Sequence, residues 1–333
     1  MAETELKVGI VGAGHIAAVH ARHLARVSGV RLVAVADTHR ERAEVLATSY
    51  GAASYEGADP MLRDQAVDAV VVCVPTESHA EITEAALAAG KHVLCEKPMA
   101  LTVADCDRMI AAQKAESVLA VGQVVRFFPE YANAKRLVES GAVGAPAAVR
   151  LRRNVSGKHS SKDWYSDPKR GGGVIFDLLV HELDWLLWCF GPISRVYAHS
   201  LTRKLAEGTS PGDYALLTLR HANGVIAHVE GYWGDPNGFS TAFEIAGDAG
   251  LLTHDSRRAA SLVRSRRDGG SPVVASPLFP QEDPYYRQLA AFVETIQTGT
   301  MTAVSAEAGR ATVAVAEAAV QSAQSGAAVA LEV

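Results

Sequence analysis

One short stretch near the N-terminus constrains this chain more than any other. An apolar strand, Lys7–Val11, runs into Gly12-Ala13-Gly14-His15-Ile16-Ala17 and then directly into a helix. In such a G-x-G-x-x-A turn the first glycine permits the sharp bend and the second lets a pyrophosphate approach the backbone. The small Ala17 allows the helix to pack closely on the strand. Phosphates then rest on the amides that open the helix, so Gly12, Gly14, His15 and Ile16 form the expected phosphate cradle. The next strand ends Val33-Ala-Val-Ala-Asp37, at about the 20-residue spacing the fingerprint requires. The Asp37 carboxylate can accept hydrogen bonds from ribose hydroxyls and would repel a 2′-phosphate. NAD is therefore the expected cofactor. NADP stays the alternative, because Arg40 can reach a phosphate if Asp37 turns aside.

The rest of the first third repeats the same alternation. Strands are predicted at Lys7–Val11, Arg31–Ala36, Ala69–Val74, Lys91–Cys95 and Val118–Val121. Helices are predicted between them at Ile16–Val27, Arg40–Tyr50, Glu77–Ala89 and Val103–Glu116, the third closed by Gly90 and the last capped by Thr102. This is the pattern that βαβ crossovers impose on a doubly wound parallel sheet. Asp68–Val74 is apolar on both faces, as a strand covered by helices on each side must be. After about residue 125 the strands lengthen and alternate, at Ala147–Val155, Tyr214–His221 and Val225–Trp233. The last two flank Asn223-Gly224, a two-residue hairpin signal. A helix over Val174–Phe190 follows Gly171-Gly-Gly173 and stops at Gly191-Pro192, and helices are expected again at Tyr285–Thr298 and Ala306–Gln324. Two domains follow, 1–124 for nucleotide binding and 125–333 for substrate binding and oligomerisation.

Composition narrows the class. In 333 residues, 32 Lys+Arg oppose 37 Asp+Glu for a net charge of −5, which supplies no basic field for nucleic acid or anionic lipid. The longest apolar stretches, near Val67–Val74 and Leu183–Phe190, fall short of the roughly 18 residues of a membrane span. Acids near the start, Glu3 and Glu5, stand where a secretory leader carries bases. The four cysteines, Cys73, Cys95, Cys106 and Cys189, show no metal-like spacing. A cytoplasmic protein with reduced thiols is expected.

Further segments fall into order along the chain: Cys73-Val-Pro-Thr76 with Ser78-His79, Glu96-Lys97-Pro98, Gly171-Gly-Gly173, and Asp177-Leu-Leu-Val-His181-Glu-Leu-Asp184. Together they resemble the glucose–fructose oxidoreductase / inositol 2-dehydrogenase / MocA (Gfo/Idh/MocA) family over essentially the whole chain. The resemblance implies an α/β fold: an N-terminal Rossmann doubly wound parallel sheet, then an α/β domain with a large, mostly antiparallel open sheet. It implies NAD(P)-dependent oxidation or reduction of a sugar, inositol or related polyhydroxylated compound, and a Lys97-Pro98 bond that is often cis in relatives.

Hydride transfer from a secondary alcohol needs a group to take the hydroxyl proton and another to stabilise the developing alkoxide. An unperturbed histidine has a pKa near 6.5, so His181 suits the first task. Lys97, at the carboxyl end of its strand, suits the second. Asp177 lies four residues before His181, on the same helical face, and can orient the imidazole or bind a neighbouring hydroxyl. Pro75, Thr76 and His79 are expected on the nicotinamide side, with Glu96 and Lys97 completing the cofactor set. Arg126 and Trp164 join Lys97, Asp177 and His181 as candidate substrate contacts, Trp164 on a loop with Tyr165, Asp167 and Lys169.

Other constellations are set aside. His181-Glu182-Leu-Asp-Trp185 opens like a zinc-protease helix but has Trp where the second histidine belongs, so no metal is expected. His15, His20 and His23 crowd one helix without completing a ligand set and are assigned to a partly solvated face. A sheet with one uncovered apolar face predicts a homodimer or homotetramer packed sheet against sheet. Two rival readings remain open: a nicotinamide-binding sensor without turnover, and an enzyme for a dihydrodiol, biliverdin-like or nucleotide-sugar substrate.

Overall fold

The computed structural model describes residues 5–156, 164, 167–204, 211–258, 261–266, 273–274 and 283–332. The chain divides into two compact units, Met1–Val124 with Glu282–Arg310, and Val125–Gln281 with Ala311–Val333. The strands of the first unit are β1 (Leu6–Val11), β2 (Val30–Asp37), β3 (Ala53–Glu56), β4 (Ala69–Val72), β5 (His92–Cys95) and β6 (Leu119–Val121). Those of the second begin with β7 (Pro146–Val155), β8 (Ile193–Lys204), β9 (Pro211–His221), β10 (Ile226–Trp233) and β11 (Ser240–Gly247). They continue with β12 (Gly250–Asp255), β13 (Leu262–Arg266), β14 (Val273–Val274) and β15 (Val329–Ala330). The helices are α1 (His15–Leu24), α2 (Arg40–Thr48), α3 (Ala58–Leu62), α4 (His79–Ala88) and α5 (Val103–Ala112). After them come α6 (Pro129–Glu139), α7 (Pro168–Gly171), α8 (Val180–Phe190), α9 (Pro284–Thr298) and α10 (Ala306–Ser325).

The first sheet is parallel with order β3-β2-β1-β4-β5-β6. This is the doubly wound arrangement in which strand order reverses beside β1. It carries one strand more than the sequence suggests, β3. That segment, Ala-Ser-Tyr-Glu, has no β-branched residue and sits at the sheet edge with no fully buried side chain, so it leaves no strand signature. Val8, Ile10, Val35, Val71 and Leu94 fill the core beneath α1, joined by Leu289, Phe292 and Val293 of α9.

The β1–α1 turn is sterically set. Gly12 has φ +99°, and a Cβ there would lie 2.4 Å from the Cys73 carbonyl oxygen. Gly14 has an ordinary φ of −83°, and a Cβ built on it meets nothing within 4 Å. The two glycines thus differ: the fold requires the first and does not require the second.

The second sheet has order β14-β13-β12-β11-β7-β10-β9-β8-β15. It is antiparallel except where β7 pairs with β10. The β9–β10 hairpin departs from the two-residue expectation. His221 pairs with Val225, so Ala222, Asn223 and Gly224 form a three-residue loop, with Gly224 at φ +94°. Such loops place a glycine in the left-handed position after a tight turn. The inner face is apolar and buried through Val149, Leu217, Val229, Ile245 and Leu252. The outer face is mixed: Tyr197, Leu201, Leu216 and Ile226 are exposed beside the Arg150–Glu244 ion pair. No helix among the described residues is long and apolar enough to cross a membrane.

The expected helix over 174–190 forms, but not as one regular helix. Ile175–Leu179 is a π-helical segment leading into α8. It lies against β10, where a Cβ on Gly231 would meet Leu179 Cδ2 at 2.5 Å; only a glycine lets the segment come so near. Trp185 is fully buried, stacked on Phe243 with centroids 5.1 Å apart and donating from Nε1 to the Tyr131 carbonyl. Arg153 Nε of β7 donates to both carboxylate oxygens of Glu182, at 2.8 and 2.7 Å, and both residues are buried.

Two outcomes are expected from urea unfolding of the cofactor-free protein. Gly12→Ala destabilises by about 2 kcal/mol or more, since the new methyl meets backbone and the φ is unfavourable, whereas Gly14→Ala stays within about 1 kcal/mol of wild type. Glu182→Ala, which leaves Arg153 buried without its carboxylate, costs about 3–5 kcal/mol.

Candidate active site

In the first unit the turn after β1 is braced by Asp37. Its Oδ2 accepts from the Ala13 amide and its Oδ1 from the His39 amide, each at 2.8 Å. His39 Nδ1 also lies 3.4 Å from Oδ1, and Oδ2, with the one amide donor, keeps acceptor capacity. The Gly12 amide bonds the Ala36 carbonyl at 2.7 Å and the Cys73 amide bonds Val11 at 2.7 Å, so the turn is fastened to both neighbouring strand ends. No side chain caps α1 at Gly14, and the first amides of a helix have no partner within it. With the open space over Gly14, the exposed His15 and the half-buried Ile16, these residues fit a dinucleotide pyrophosphate. Arg40 is committed along its own helix, with Nε 2.8 Å from Glu44 Oε1.

The loops after β4 and β5 are joined to each other. Pro75 is half-buried and Thr76 buried in a short turn after β4. The His79 ring that follows is buried between two carbonyl oxygens, Pro98 O at 2.8 Å from Nδ1 and Val74 O at 3.0 Å from Nε2. Burial lowers its pKa, and the two carbonyl contacts pull the other way. His79 therefore ties the two loops together. The Lys97–Pro98 bond is cis.

Glu96 lies behind this loop, buried. Its Oε1 stands 2.7 Å from His20 Nε2, and its Oε2 accepts from the Lys97 amide at 3.1 Å. Burial alone would push the Glu96 carboxyl up, but the His20 hydrogen bond and charge, helped by Lys97, hold it below the usual carboxylate value. The assignment of His20 and His23 to a partly solvated face is thereby overturned. Both are buried; His20 faces Glu96, and His23 Nε2 lies 3.4 Å from Asp283. His20 is the residue that sequence reasoning missed. The signal was present in its spacing, since with Ala17, Ala21 and Leu24 it falls on the buried face of α1, where a polar side chain must find a partner.

In the second unit the half-buried Asp177 belongs to the π-helical segment and the buried His181 to the first turn of α8. A π-turn at this place has a known bias, since such segments occur frequently at functional sites. Arg126 clasps Asp184, Nε to Oδ2 at 2.8 Å and Nη2 to Oδ1 at 2.6 Å, with its guanidinium 5.3 Å from the Trp188 ring centroid. Burial raises the Asp184 pKa, and Arg126 opposes the rise. Arg126 is thus built into the support of α8. Trp164 is half-buried, Tyr165 lies outside the described residues, and Asp167 caps α7 by accepting from the Lys169 amide at 2.9 Å. The structure therefore gathers Gly12, Gly14 and Asp37 at one turn, and Pro75, Thr76, His79, Glu96 and Lys97 at one pair of loops. It sets Asp177 and His181 one helical turn apart.

Residues 6–123 match an oxidoreductase family with an NAD-binding Rossmann fold, and residues 131–253 match the GFO/IDH/MocA C-terminal domain. Inositol 2-dehydrogenase 1 of Saccharopolyspora erythraea is 33% identical over 98% of this chain and 96% of its own length. Myo-inositol 2-dehydrogenase of Thermotoga maritima is 29% identical over 92% of each. Among solved structures, GenD2 from gentamicin A biosynthesis, in complex with NAD, superposes with a TM-score of 0.86 at 26% identity, covering 99% of this chain and 97% of that one. The chain belongs to the Gfo/Idh/MocA oxidoreductase family and is an NAD(P)-dependent dehydrogenase acting on CH–OH groups.

Proposed function

We propose that this dehydrogenase takes a sugar, inositol or related polyol, that NAD is its working cofactor, and that Lys97, Asp177 and His181 carry the chemistry. The observation that supports this most is the construction around Lys97. A lysine at the carboxyl end of β5 stands on a loop fastened from one side by His79 through the Pro98 carbonyl and from the other by Glu96. A surface lysine needs no such fastening; an ammonium that must meet one oxygen atom does. Similarity along nearly the whole chain to inositol 2-dehydrogenases supports the substrate class.

Bound NAD would supply the hydride acceptor, held through its phosphates by Gly12, Gly14, His15 and Ile16, and through its adenosine ribose by Asp37. Pro75 and Thr76 would border the nicotinamide side, with Glu96 and His79 supporting it from beneath. Lys97 donates a hydrogen bond to the reacting hydroxyl oxygen and stabilises negative charge as it develops. His181 removes the hydroxyl proton, and Asp177 orients the imidazole or binds an adjacent hydroxyl. Arg126 and Trp164 complete the proposed substrate set, Arg126 mainly by holding α8. In the reductive direction the same groups act in reverse.

The protein is further proposed to be cytoplasmic and homo-oligomeric. The four cysteines are free, which suits a reducing compartment, and the exposed Tyr197, Leu201, Leu216 and Ile226 of the outer sheet face suit burial against another copy.

Nicotinamide absorbance with a panel of inositols, sugars and polyols tests the reading. Wild type turns over at least one of them with NAD, and Lys97→Ala lowers kcat by about 10²-fold or more while NAD affinity is kept. Full turnover in Lys97→Ala removes the lysine from the mechanism, and NAD binding without turnover on any compound turns the reading to a sensor. Asp37→Ala weakens NAD and narrows the preference over NADP, and Gly14→Ala weakens NAD at least about tenfold with its fold intact. Isothermal titration with each cofactor measures both.

A further inference from the structure

We propose that His20 is a positioning residue for Lys97, acting through the Glu96 carboxylate, so that the helix opening at the dinucleotide turn also fixes the lysine loop. This rests on the reading that Lys97 meets the reacting oxygen. The chain of contacts is short and continuous. His20 Nε2 lies 2.7 Å from Glu96 Oε1, and Glu96 Oε2 accepts from the Lys97 amide at 3.1 Å.

Each member of this chain is confined on its other sides. The His20 ring is completely buried and meets the Tyr285 ring edge-on, with centroids 5.8 Å apart. Glu96 cannot retreat, because Gly122 backs onto it so closely that a Cβ there would stand 3.1 Å from both Glu96 Cα and Cδ. The Gly122 amide is itself bonded to the Cys95 carbonyl at 2.7 Å. A carboxylate walled in this way transmits position: where His20 holds one oxygen, the other oxygen dictates where the Lys97 backbone begins.

The linkage also has a direction. His20 sits five residues after His15, about 7.5 Å along α1 from the end that takes the phosphates. Cofactor phosphates and the lysine loop are therefore referenced to one rigid element. Misplacement of a catalytic group by about 1 Å can cost on the order of 10²-fold in rate, which is the scale on which loss of the imidazole should register.

The test is a cycle of variants in two backgrounds, with kcat read at saturating NAD and substrate, NAD affinity by titration, and melting by circular dichroism. His20→Ala lowers kcat about 10- to 100-fold, with NAD affinity within about threefold of wild type. His20→Gln, whose amide N–H can reach Oε1, recovers most of the loss. In the Lys97→Ala background, His20→Ala lowers the residual rate less than about twofold, because the group it positions is gone. An equal drop in both backgrounds, or no drop in either, overturns the proposal. Full activity of Lys97→Ala alone instead overturns the reading of the lysine and is recognised as such. If His20→Ala does not fold, His20→Phe takes its place, since it keeps a ring against Tyr285 and removes the nitrogen that faces Glu96 Oε1. Hydrogen exchange at the Lys97 amide needs no substrate. It should speed up about tenfold or more in His20→Ala and not in His20→Gln, and an unchanged rate in both overturns the proposal.

Discussion

The site depends on a contact between two pieces of backbone. In the order β3-β2-β1-β4-β5-β6, the chain leaves β1 toward one edge of the sheet and returns toward the other, so the loops after β1 and β4 diverge and open a crevice at the carboxyl ends. Parallel strands alone would leave those loops loose. Here the glycine after β1 backs directly onto the Cys73 carbonyl, too close for any Cβ. The Ala36 carbonyl and the Asp37 carboxylate hold the turn from the other side. The shape of the proposed phosphate cradle is thus decided by the sheet before any ligand arrives, which would spare binding the entropy of ordering it.

Buried charges do the corresponding work further along. Glu96, Glu182 and Asp184 are all nearly or wholly inaccessible, and each faces a basic partner: His20, Arg153 and Arg126. Such pairs add little net stability over apolar residues of the same volume, because desolvation consumes most of the Coulombic gain. Their value lies in direction. The Arg153 and Arg126 pairs each engage both oxygens of their carboxylate, which fixes rotation as well as distance, and both carboxylates lie on α8 within three residues of His181. An apolar core would bury α8 equally well without setting its rotation.

The sequence exposed those features that carry local periodicity or punctuation. The glycine turn, the acid at Asp37, the apolar β4 and the Gly-bounded helix at 174–190 were all readable because each obeys a spacing rule over a few residues. The Rossmann order and the second, mostly antiparallel sheet followed from those signals with the family resemblance. What stayed hidden depends on contacts distant along the chain or on small departures from ideal geometry. The edge strand β3 is only four residues long and has no β-branched residue. The π-turn at 175–179 differs from an α-helix by a single hydrogen-bond step, and no residue type marks it. The buried spacing of His20 on α1 was readable, but the partners of His20 and His23, Glu96 and Asp283, lie 76 and 260 residues away. The Arg126–Asp184 pair joins residues 58 apart in the chain.

Asp37 brings these threads together, because it serves the fold and the proposed ribose contact with the same two oxygens. A residue that only recognised ribose could be exchanged for a small neutral one to admit a 2′-phosphate, with Arg40 swinging in to meet it. In this chain that exchange would also remove the acceptors of the Ala13 and His39 amides, loosening the turn whose amides are proposed to receive the pyrophosphate. Arg40 would in addition have to give up Glu44, a pairing that is exposed and therefore weak. The arginine is the cheaper half of such a change and the aspartate the dearer. The proposed preference for NAD is accordingly tied to the architecture of the turn, and a route to NADP would have to replace two backbone hydrogen bonds as well as one charge.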